Sequence, residues 1–234
     1  MKITHQEQKE KWEREHAHPF ALKQIDVQKP SNSLELFSIF LKKLRLENLV
    51  GLEMGCGKGR NAIWLAQQSH VAKVYGFDFS EHAIAEAKQR AAKAGMSDKT
   101  QFDVMDATER WDYDSDSFDF GVDCTASTDI EDPVGRQNAV HEMHRVLKPS
   151  GYFLVYVMST DDEYHKMMIG KSPAEEKNAF YHPDTGKFEK VFSEEELDTM
   201  YAQFRLAESR RIEKMTEFFG KEYFCKLHWR VYQK

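Results

Sequence analysis

The 234-residue sequence has little cysteine and no long apolar run. Its three cysteines, Cys56, Cys124 and Cys225, lie far apart and form no CxxC pair, which argues against a disulfide framework and a zinc knuckle. No stretch approaches the roughly 18 consecutive apolar residues that a membrane helix needs, and the N-terminus is too polar for a signal peptide. We therefore expect a cytoplasmic protein with no membrane partner and with reduced thiols.

Positive charge is also in short supply. The chain has 33 Lys and Arg against 39 Asp and Glu, a formal net charge of −6. Because affinity for nucleic acids comes mainly from Lys and Arg neutralising phosphates, this balance disfavours a nucleic-acid binder. Apolar residues are plentiful, with 41% hydrophobic and 12% aromatic. The length and the potential core fit one large domain, two at most, and exclude a disordered chain.

Apolar segments of strand length alternate with helical patterns along most of the chain. Such an alternation predicts an α/β fold in which a mostly parallel sheet is covered by helices on both faces. Helix starts are predicted by the spacing of Asn32 and Glu35, by Ser80, and by Ser193 with Glu196. The predicted strands are residues 49–54, 71–78, 100–105, 118–124, 152–158, 206–212 and 224–232.

Two segments fall outside this alternation. Residues 1–30 form an N-terminal arm that we expect to be ordered, because Trp12, Phe20 and Leu22 give it apolar groups to dock with. The arm either folds over a cofactor as a lid or packs on the sheet edge, and the second alternative is favoured. Residues 159–192 show no clean periodicity and are too long for an ordinary connection. Such loops often carry function, so we place substrate contacts in this insertion.

The strongest functional signal is a glycine loop between the first strand and a helix. Gly55, Gly57 and Gly59 alternate there, which lets the backbone turn tightly and approach a ligand closely. Asp78 ends the next strand 19 residues after Gly59, where a carboxylate accepts hydrogen bonds from both ribose hydroxyls. Together the loop and the acid predict a nucleoside-binding site.

Two charged residues indicate which nucleoside. Arg60 stands where a dinucleotide fingerprint has glycine or alanine, so it disfavours a nicotinamide-dependent oxidoreductase. Glu53, at the end of the strand before the loop, would repel a pyrophosphate but suits a positively charged ligand. S-adenosylmethionine, which carries an amino group and a sulfonium, is such a ligand.

These features resemble the class I S-adenosylmethionine-dependent methyltransferases, from about Leu49 to Lys234. The resemblance implies a doubly wound, Rossmann-like, seven-stranded mostly parallel sheet with a last antiparallel strand. It implies a single domain over residues 31–234, S-adenosylmethionine as cofactor, no metal, and a small-molecule acceptor that receives the methyl group by direct displacement. The matching segments are residues 53–59, Asp78, residues 105–107, residues 118–123 and residues 146–152.

The resemblance also implies roles for individual residues. The loop would hold the methionine part, Asp78 the ribose, Phe79 the adenine face and Asp106 the adenine amino group. No catalytic residue is assigned. The full set of candidate cofactor-binding residues is Glu53, Gly55, Cys56, Gly57, Asn61, Asp78, Phe79, Asp106, Ala107 and Asp123.

The acceptor is less well defined than the donor. Asp123 and Asp129 would border its pocket, which suggests a cationic or amine-bearing molecule. His165 and His182 are candidate bases, although a histidine in a polar loop is usually exposed. Cys56 and Cys124 are interpreted as packing residues. Methylation of RNA or protein and a non-catalytic cofactor-binding module stay open as alternatives, and the sequence does not determine the oligomeric state.

Overall fold

A computed structural model describes residues 3–24 and 29–234 of the protein. The strands in chain order are β1 Leu49–Met54, β2 Val71–Asp78, β3 Thr100–Val104, β4 Phe118–Cys124, β5 Leu147–Met158, β6 Ala179–Tyr181, β7 Phe188–Lys190, β8 Arg205–Phe218 and β9 Lys221–Gln233. The helices are α1 His5–Ala17, α2 Asn32–Lys43, α3 Arg60–Ala66, α4 Glu81–Lys93, α5 Pro133–Val146, α6 Glu163–Lys171 and α7 Glu194–Met200.

The described residues form a seven-stranded sheet with the order β3-β2-β1-β4-β5-β9-β8. Strands β1 to β5 are parallel, and β9 pairs antiparallel with both β5 and β8. This confirms the predicted fold class. The order reverses between β1 and β4, which places a crevice at the carboxyl ends of these two strands.

Helices cover both faces of the sheet, and each face has its own apolar core. Helices α2, α3, α4 and α6 pack on one face, and α5 and α7 on the other. The two neighbouring strands at the centre of the sheet fit closely. A Cβ added to Gly51 of β1 would lie 2.1 Å from a ring carbon of Phe120 in β4, so only glycine fits there.

The last two strands are longer than predicted. Pairing continues past residue 212, from Glu213 opposite Lys226 to Phe218 opposite Lys221, and the chain reverses at residues 219–220 instead of across 216–220. Residues 213–218 alternate between half-buried and exposed, which is the pattern of a strand with one covered face. The hairpin therefore extends beyond the end of β5 and reaches the insertion.

Two predicted helix starts are confirmed and one is wrong. Ser80 accepts a hydrogen bond from the Ala83 amide, and Ser193 forms a capping box with Glu196. Helix α2 is instead preceded by Ser31, one residue before the predicted cap. The Ser31 amide donates to the Asn61 side chain at 2.9 Å, so a tertiary contact determines where the helix begins.

The insertion contains regular structure that the sequence pattern did not predict. It holds α6 and a two-stranded sheet of β6 and β7. Asp162 caps α6, and Tyr164 and Met168 are buried against the β8–β9 hairpin. The apolar face of α6 is short and each strand has three residues, so their periodicity is too brief to detect.

Candidate active site

A cavity of about 440 Å³ opens at the carboxyl ends of β1, β2, β3 and β4. It is lined by nine of the ten candidate cofactor residues, the exception being Asp123. Parallel strands end at the same edge of a sheet, which brings together residues that are up to 54 positions apart in sequence, from Glu53 to Ala107. Helix α1 supplies the opposite wall.

The glycine loop forms the floor of this cavity in a backbone conformation that favours glycine. Gly55, Gly57 and Gly59 have φ of 60°, 51° and 76°. A Cβ on Gly55 would also lie 2.5 Å from the Cβ of Ala126, in the turn after β4. The positive φ and the short distance to Ala126 both favour a residue without a side chain at Gly55. This glycine therefore allows the close approach of two loops as well as that of a ligand.

Glu53 offers a buried carboxylate with one oxygen to spare. The side-chain Nδ2 of Asn61 donates to Oε1 at 2.9 Å, whereas Oε2 is buried without a hydrogen-bond partner among the described residues. Burial raises the pKa of Glu53 to about 7. A buried acceptor without a donor is costly, and an ammonium group placed beside it would remove that cost. The amino group of S-adenosylmethionine has this chemistry.

Asp78 is held by two backbone amides. Its two oxygens accept from the Gly57 and Ser80 amides, each at 2.9 Å. Burial raises its pKa, and the nearby His16 opposes that shift. Each carboxylate oxygen accepts more than one hydrogen bond, so both can still receive a ribose hydroxyl. The residues present therefore fit the nucleoside as well as the amino group.

Asp106, which also lines the cavity beside Phe79 and Ala107, is engaged by the N-terminal arm. Its Oδ2 accepts from His5 Nε2 at 2.7 Å and from Lys9 at 3.0 Å, and Oδ1 accepts from Thr108. Burial acts to raise the pKa of Asp106, but the hydrogen bonds from His5, Thr108 and Lys9 outweigh it and hold the pKa well below its ordinary value.

The arm lies over the cavity, whereas the sequence analysis favoured packing on the sheet edge. The face of α1 that carries His5, Gln8, Trp12 and His16 lines the cavity. Thr4 and Glu7 form a capping box at its start, a local signal that could have revealed the helix. The apolar residues of α1 are too few to show which face is covered, so its docking follows from polar contacts with distant residues.

Asp123 does not line either of the two cavities described here, contrary to the prediction. Its side chain accepts from the Ser127 amide at 3.2 Å and from the Tyr201 hydroxyl at 3.5 Å, on the α7 side of the sheet. Successive side chains of a strand point to opposite faces, and Cys124 is the one that faces the cavities. Burial raises the pKa of Asp123 to about 6.

A second cavity of about 460 Å³ adjoins the first. The two share wall residues at Trp12, Cys124, Thr125 and Asp129, so the cavities lie side by side. The insertion and the β8–β9 hairpin supply much of the remaining wall, so the segment in which the sequence analysis expected substrate contacts faces a cavity. Aromatic and ionisable side chains line it: Tyr156, Tyr164, Phe218, Phe219, Asp162, His165, His182, Lys187 and Glu189.

The two histidines of the insertion are buried, so the expectation of exposure is wrong. His165 is 6% exposed and His182 is 3% exposed, and both face the second cavity. The tertiary structure covers them because α6 and the β6–β7 sheet fold inward. Cys124 also faces this space, and burial raises the pKa of its thiol. Cys56 is buried in the glycine loop, and burial raises its thiol pKa well above the ordinary value.

Within residues 3–24 and 29–234, no group of three or more His, Cys, Asp or Glu side chains is arranged to hold a metal ion. Across the same ranges, no helix combines the length and the apolar character needed to cross a membrane.

Residues 46–217 match the sequence profile of a methyltransferase domain. The chain belongs to this methyltransferase family. A solved S-adenosylmethionine-dependent methyltransferase from Methanosarcina mazei is similar at a TM-score of 0.70 with 25% identity, over 83% of this chain and 96% of that one. The cofactor of this domain is therefore S-adenosylmethionine, and the domain is that of a methyltransferase.

Two further proteins are similar to this chain. Methyltransferase GfsG of Streptomyces halstedii is 35% identical over 100 residues, which is 43% of this chain and 34% of that protein. The 1,6-didemethyltoxoflavin-N1-methyltransferase of Burkholderia thailandensis, solved with its acceptor and S-adenosylhomocysteine, has a TM-score of 0.69 at 18% identity over 99% of this chain and 91% of that one. The second likeness concerns the fold alone. The chain spans only 34–40% of the length of the first curated relatives it matches.

Proposed function

We propose that the chain transfers the methyl group of S-adenosylmethionine to a small molecule held in the second cavity. The observation that carries this proposal is the adjacency of the two cavities, whose junction is the shared wall at Cys124, Thr125 and Asp129. One side of the junction fits the donor, because it presents the unpaired Glu53 oxygen and the Asp78 carboxylate. The other side is a separate space into which an acceptor fits.

The residues that would hold the donor divide by the part they contact. Glu53 would pair with the amino group, Asp78 would accept from the ribose hydroxyls, and Phe79 with Asp106 would border the adenine. The bound donor supplies a methyl group already activated by its sulfonium. What the protein has to add is orientation of the acceptor and exclusion of water, which together can account for much of the rate.

The described residues support both tasks. Helix α1 covers the donor cavity, and the Gln8 side chain joins α1 to the insertion. Gln8 accepts from the Phe188 amide at 2.9 Å and donates to the Phe188 carbonyl at 3.0 Å. It also donates to the Asp129 carbonyl at 2.8 Å. The aromatic rings of the second cavity give an acceptor flat, apolar contact surfaces. A single small molecule fits such a space better than a nucleic-acid strand or a protein segment.

Calorimetric titration with S-adenosylhomocysteine, with NAD in parallel, tests the donor site. We expect micromolar binding of S-adenosylhomocysteine to the native chain, loss of most of that affinity in Asp78→Ala, and no change in Asp98→Ala, an exposed acid outside the cavity. At about 100 times Kd the ligand adds ~2.7 kcal/mol to the free energy of unfolding. Binding of NAD alone, or equal affinity in both variants, would contradict the proposal.

Turnover distinguishes an enzyme from a binding module. Release of S-adenosylhomocysteine in the presence of small-molecule acceptors would support transfer. Binding of the donor without turnover of any acceptor would favour a non-catalytic module, and turnover with bulk RNA or protein would favour a macromolecular substrate.

A further inference from the structure

The second cavity contains a histidine whose ring is fixed by a buried carboxylate. Asp162 precedes α6 and is fully buried. Its Oδ1 accepts from the His165 amide at 2.9 Å and contacts His165 Nδ1 at 2.5 Å, and its Oδ2 accepts from the Lys226 amide at 2.8 Å. The cap of the helix is therefore also the partner of the imidazole, so helix and ring are positioned together.

This arrangement decides which nitrogen of His165 is available. Burial acts to raise the pKa of Asp162, but the hydrogen bonds from the His165 ring and from the His165 and Lys226 amides oppose it, so the pKa is lowered and the carboxylate form is favoured. A carboxylate beside Nδ1 requires Nδ1 to donate, which leaves the lone pair of the neutral ring on Nε2. The nearest acid, Glu189, lies 4.0 Å from Nε2, beyond hydrogen-bond distance.

Other ionisable groups of this cavity are less suited to accept a proton. Burial raises the pKa of Cys225 to about 11 and that of the Cys124 thiol above its ordinary value, so both stay protonated. Both ring nitrogens of His182 have partners, since Nδ1 accepts from the Asp184 amide and Nε2 contacts the Tyr164 hydroxyl, each at 3.3 Å. Neither nitrogen is free to receive a proton from a ligand.

Asp129 lies at the junction itself and is the strongest competitor. Burial, followed by the charge of Glu189, raises its pKa well above the ordinary value, while Lys187 opposes the shift. The raised pKa favours the protonated carboxyl over the carboxylate, and the Asp129→Asn variant distinguishes Asp129 from His165 as the base. Lys187 also offsets negative charge near this point, so the wall does not present the bare acidic surface that a cationic acceptor would favour.

We propose that the second cavity binds a small planar acceptor with a phenolic or enolic hydroxyl, and that His165, oriented by Asp162, removes the hydroxyl proton as the methyl group is transferred. This proposal rests on the proposed function, and it specifies the class of substrate and the general base. The aromatic side chains Tyr156, Tyr164, Phe218 and Phe219 provide the contact surfaces for a planar ring. A base is of use only to an acceptor that must lose a proton.

The step balances without a further reactant. The acceptor oxygen forms a bond to the methyl carbon while its O–H bond breaks and the proton passes to His165 Nε2. The electron pair of the broken sulfur–methyl bond stays on sulfur, which becomes the neutral thioether of S-adenosylhomocysteine. The imidazolium that forms is stabilised by the Asp162 carboxylate and later returns its proton to solvent.

Two phenols test the base directly. At mildly alkaline pH 4-nitrophenol is already ionised, whereas 4-methylphenol is not. In His165→Asn, whose amide can still donate to Asp162, we expect kcat/KM for 4-methylphenol to fall about 100-fold or more, the usual contribution of a general base. The loss for 4-nitrophenol should stay within a few-fold. His141→Asn, on the exposed side of α5, is the control and should match the native chain with both phenols.

A second readout needs no turnover. With S-adenosylhomocysteine bound, 4-nitrophenol in the native cavity should show phenolate absorbance at a pH below its solution pKa, because His165 takes the proton. The absorbance should vanish in His165→Asn and weaken in Asp162→Asn, which keeps a helix cap but lacks the charge. Asp129→Asn should keep it.

Each other outcome overturns the proposal. Equal losses for the two phenols would make His165 structural, and loss of the phenolate signal in Asp129→Asn alone would make Asp129 the base. Methylation of 4-methylaniline instead of either phenol, or of none of the three, would reject the acceptor class. In these cases retained binding of S-adenosylhomocysteine leaves the donor site intact, whereas absence of that binding would mean that the proposed function itself has failed.

Discussion

The two halves of the site are built in different ways. The donor half comes from consecutive strand ends between residues 53 and 107, each followed by a loop that local sequence specifies. Much of the acceptor half comes from the arm, the insertion and the tip of the β8–β9 hairpin, which are distant in sequence. The donor half therefore depends on backbone conformation, whereas the acceptor half depends on how separate segments dock.

A glycine substitution should break the donor half and leave the acceptor half in place. Gly55→Ala places a Cβ 2.5 Å from Ala126 in a backbone with φ of 60°, so the loop must shift. The shift moves the loop away from the ligand, and we expect a loss of at least about tenfold in affinity for S-adenosylhomocysteine, equivalent to about 1.4 kcal/mol, measured by calorimetry.

Gly220→Ala is the control for backbone strain. It has φ of 76°, but a Cβ there meets nothing within 4 Å. It should lower the free energy of unfolding by about 1–2 kcal/mol and leave the affinity unchanged. Native affinity in both variants would show that the loop accommodates a Cβ at Gly55, and would contradict the prediction.

Loss of Gln8 should loosen the docked segments, α1 and the insertion, and leave the strand ends of the donor half in place. Gln8→Ala removes the partners of three backbone groups, the Phe188 amide and carbonyl and the Asp129 carbonyl. At ~1–3 kcal/mol for each unpaired buried group, partly recovered by water, we expect about 2 kcal/mol less protection in α1 and β7. Hydrogen exchange should show the change there and not in β1 or β4. Gln6→Ala, an exposed neighbour, should change nothing, and uniform deprotection would contradict the division into halves.

The pH dependence of S-adenosylhomocysteine binding tests the role of Glu53 in the donor half. An acid whose folded pKa is raised makes the ligand-free fold less stable as pH rises from its ordinary value of 4.5 to about 7. Pairing with an ammonium group requires the carboxylate, so affinity for S-adenosylhomocysteine should rise up to about tenfold per pH unit below 7 and level off above it. Calorimetry between pH 5.5 and 8, a range that extends at least about 1 unit to either side of that pKa, measures the slope. The same slope in Glu53→Gln would exclude Glu53 as its source.

His5 should give the smallest effect, with the opposite sign. Its two nitrogens contact Asp106 at 2.7 Å and Glu131 at 2.8 Å. Burial lowers its pKa, but these carboxylates outweigh burial and raise it above 6.5. The stabilisation of the arm is therefore complete below pH 6.5 and is lost as pH rises through the raised pKa. Because the side chain is 37% exposed, we expect a change of only a few-fold in the docked population.

The indole resonance of Trp12 reports this docking, because Trp12 lines both cavities. In the native chain the resonance should shift with pH in this range, and in His5→Gln it should not. A shift that persists in the variant would assign the titration to another group.

How far the sequence could predict the site follows the same division. Gly55, Gly57 and Asp78, which line the donor cavity, could be predicted because their spacing reflects one strand, one turn and the next strand. Asp123 was predicted to line the cofactor site, but its neighbour Cys124 faces the cavities instead. A sequence motif does not show which of two successive residues at a strand end points toward a given face of the sheet. His165 was named as a base candidate but expected to be exposed, since nothing in its neighbourhood shows that α6 folds inward.

By itself the sequence determined the fold class and the donor, and it predicted the loop that would bind the donor, because alternating strands and helices, a glycine loop and a spaced acid are local features of the chain. Only the tertiary structure decided that α1 covers the donor cavity and that Asp162, His165 and the β8–β9 hairpin enclose a second one. Those contacts join residues far apart in the chain, and their free energy depends on burial and pairing that exist only once the segments have docked.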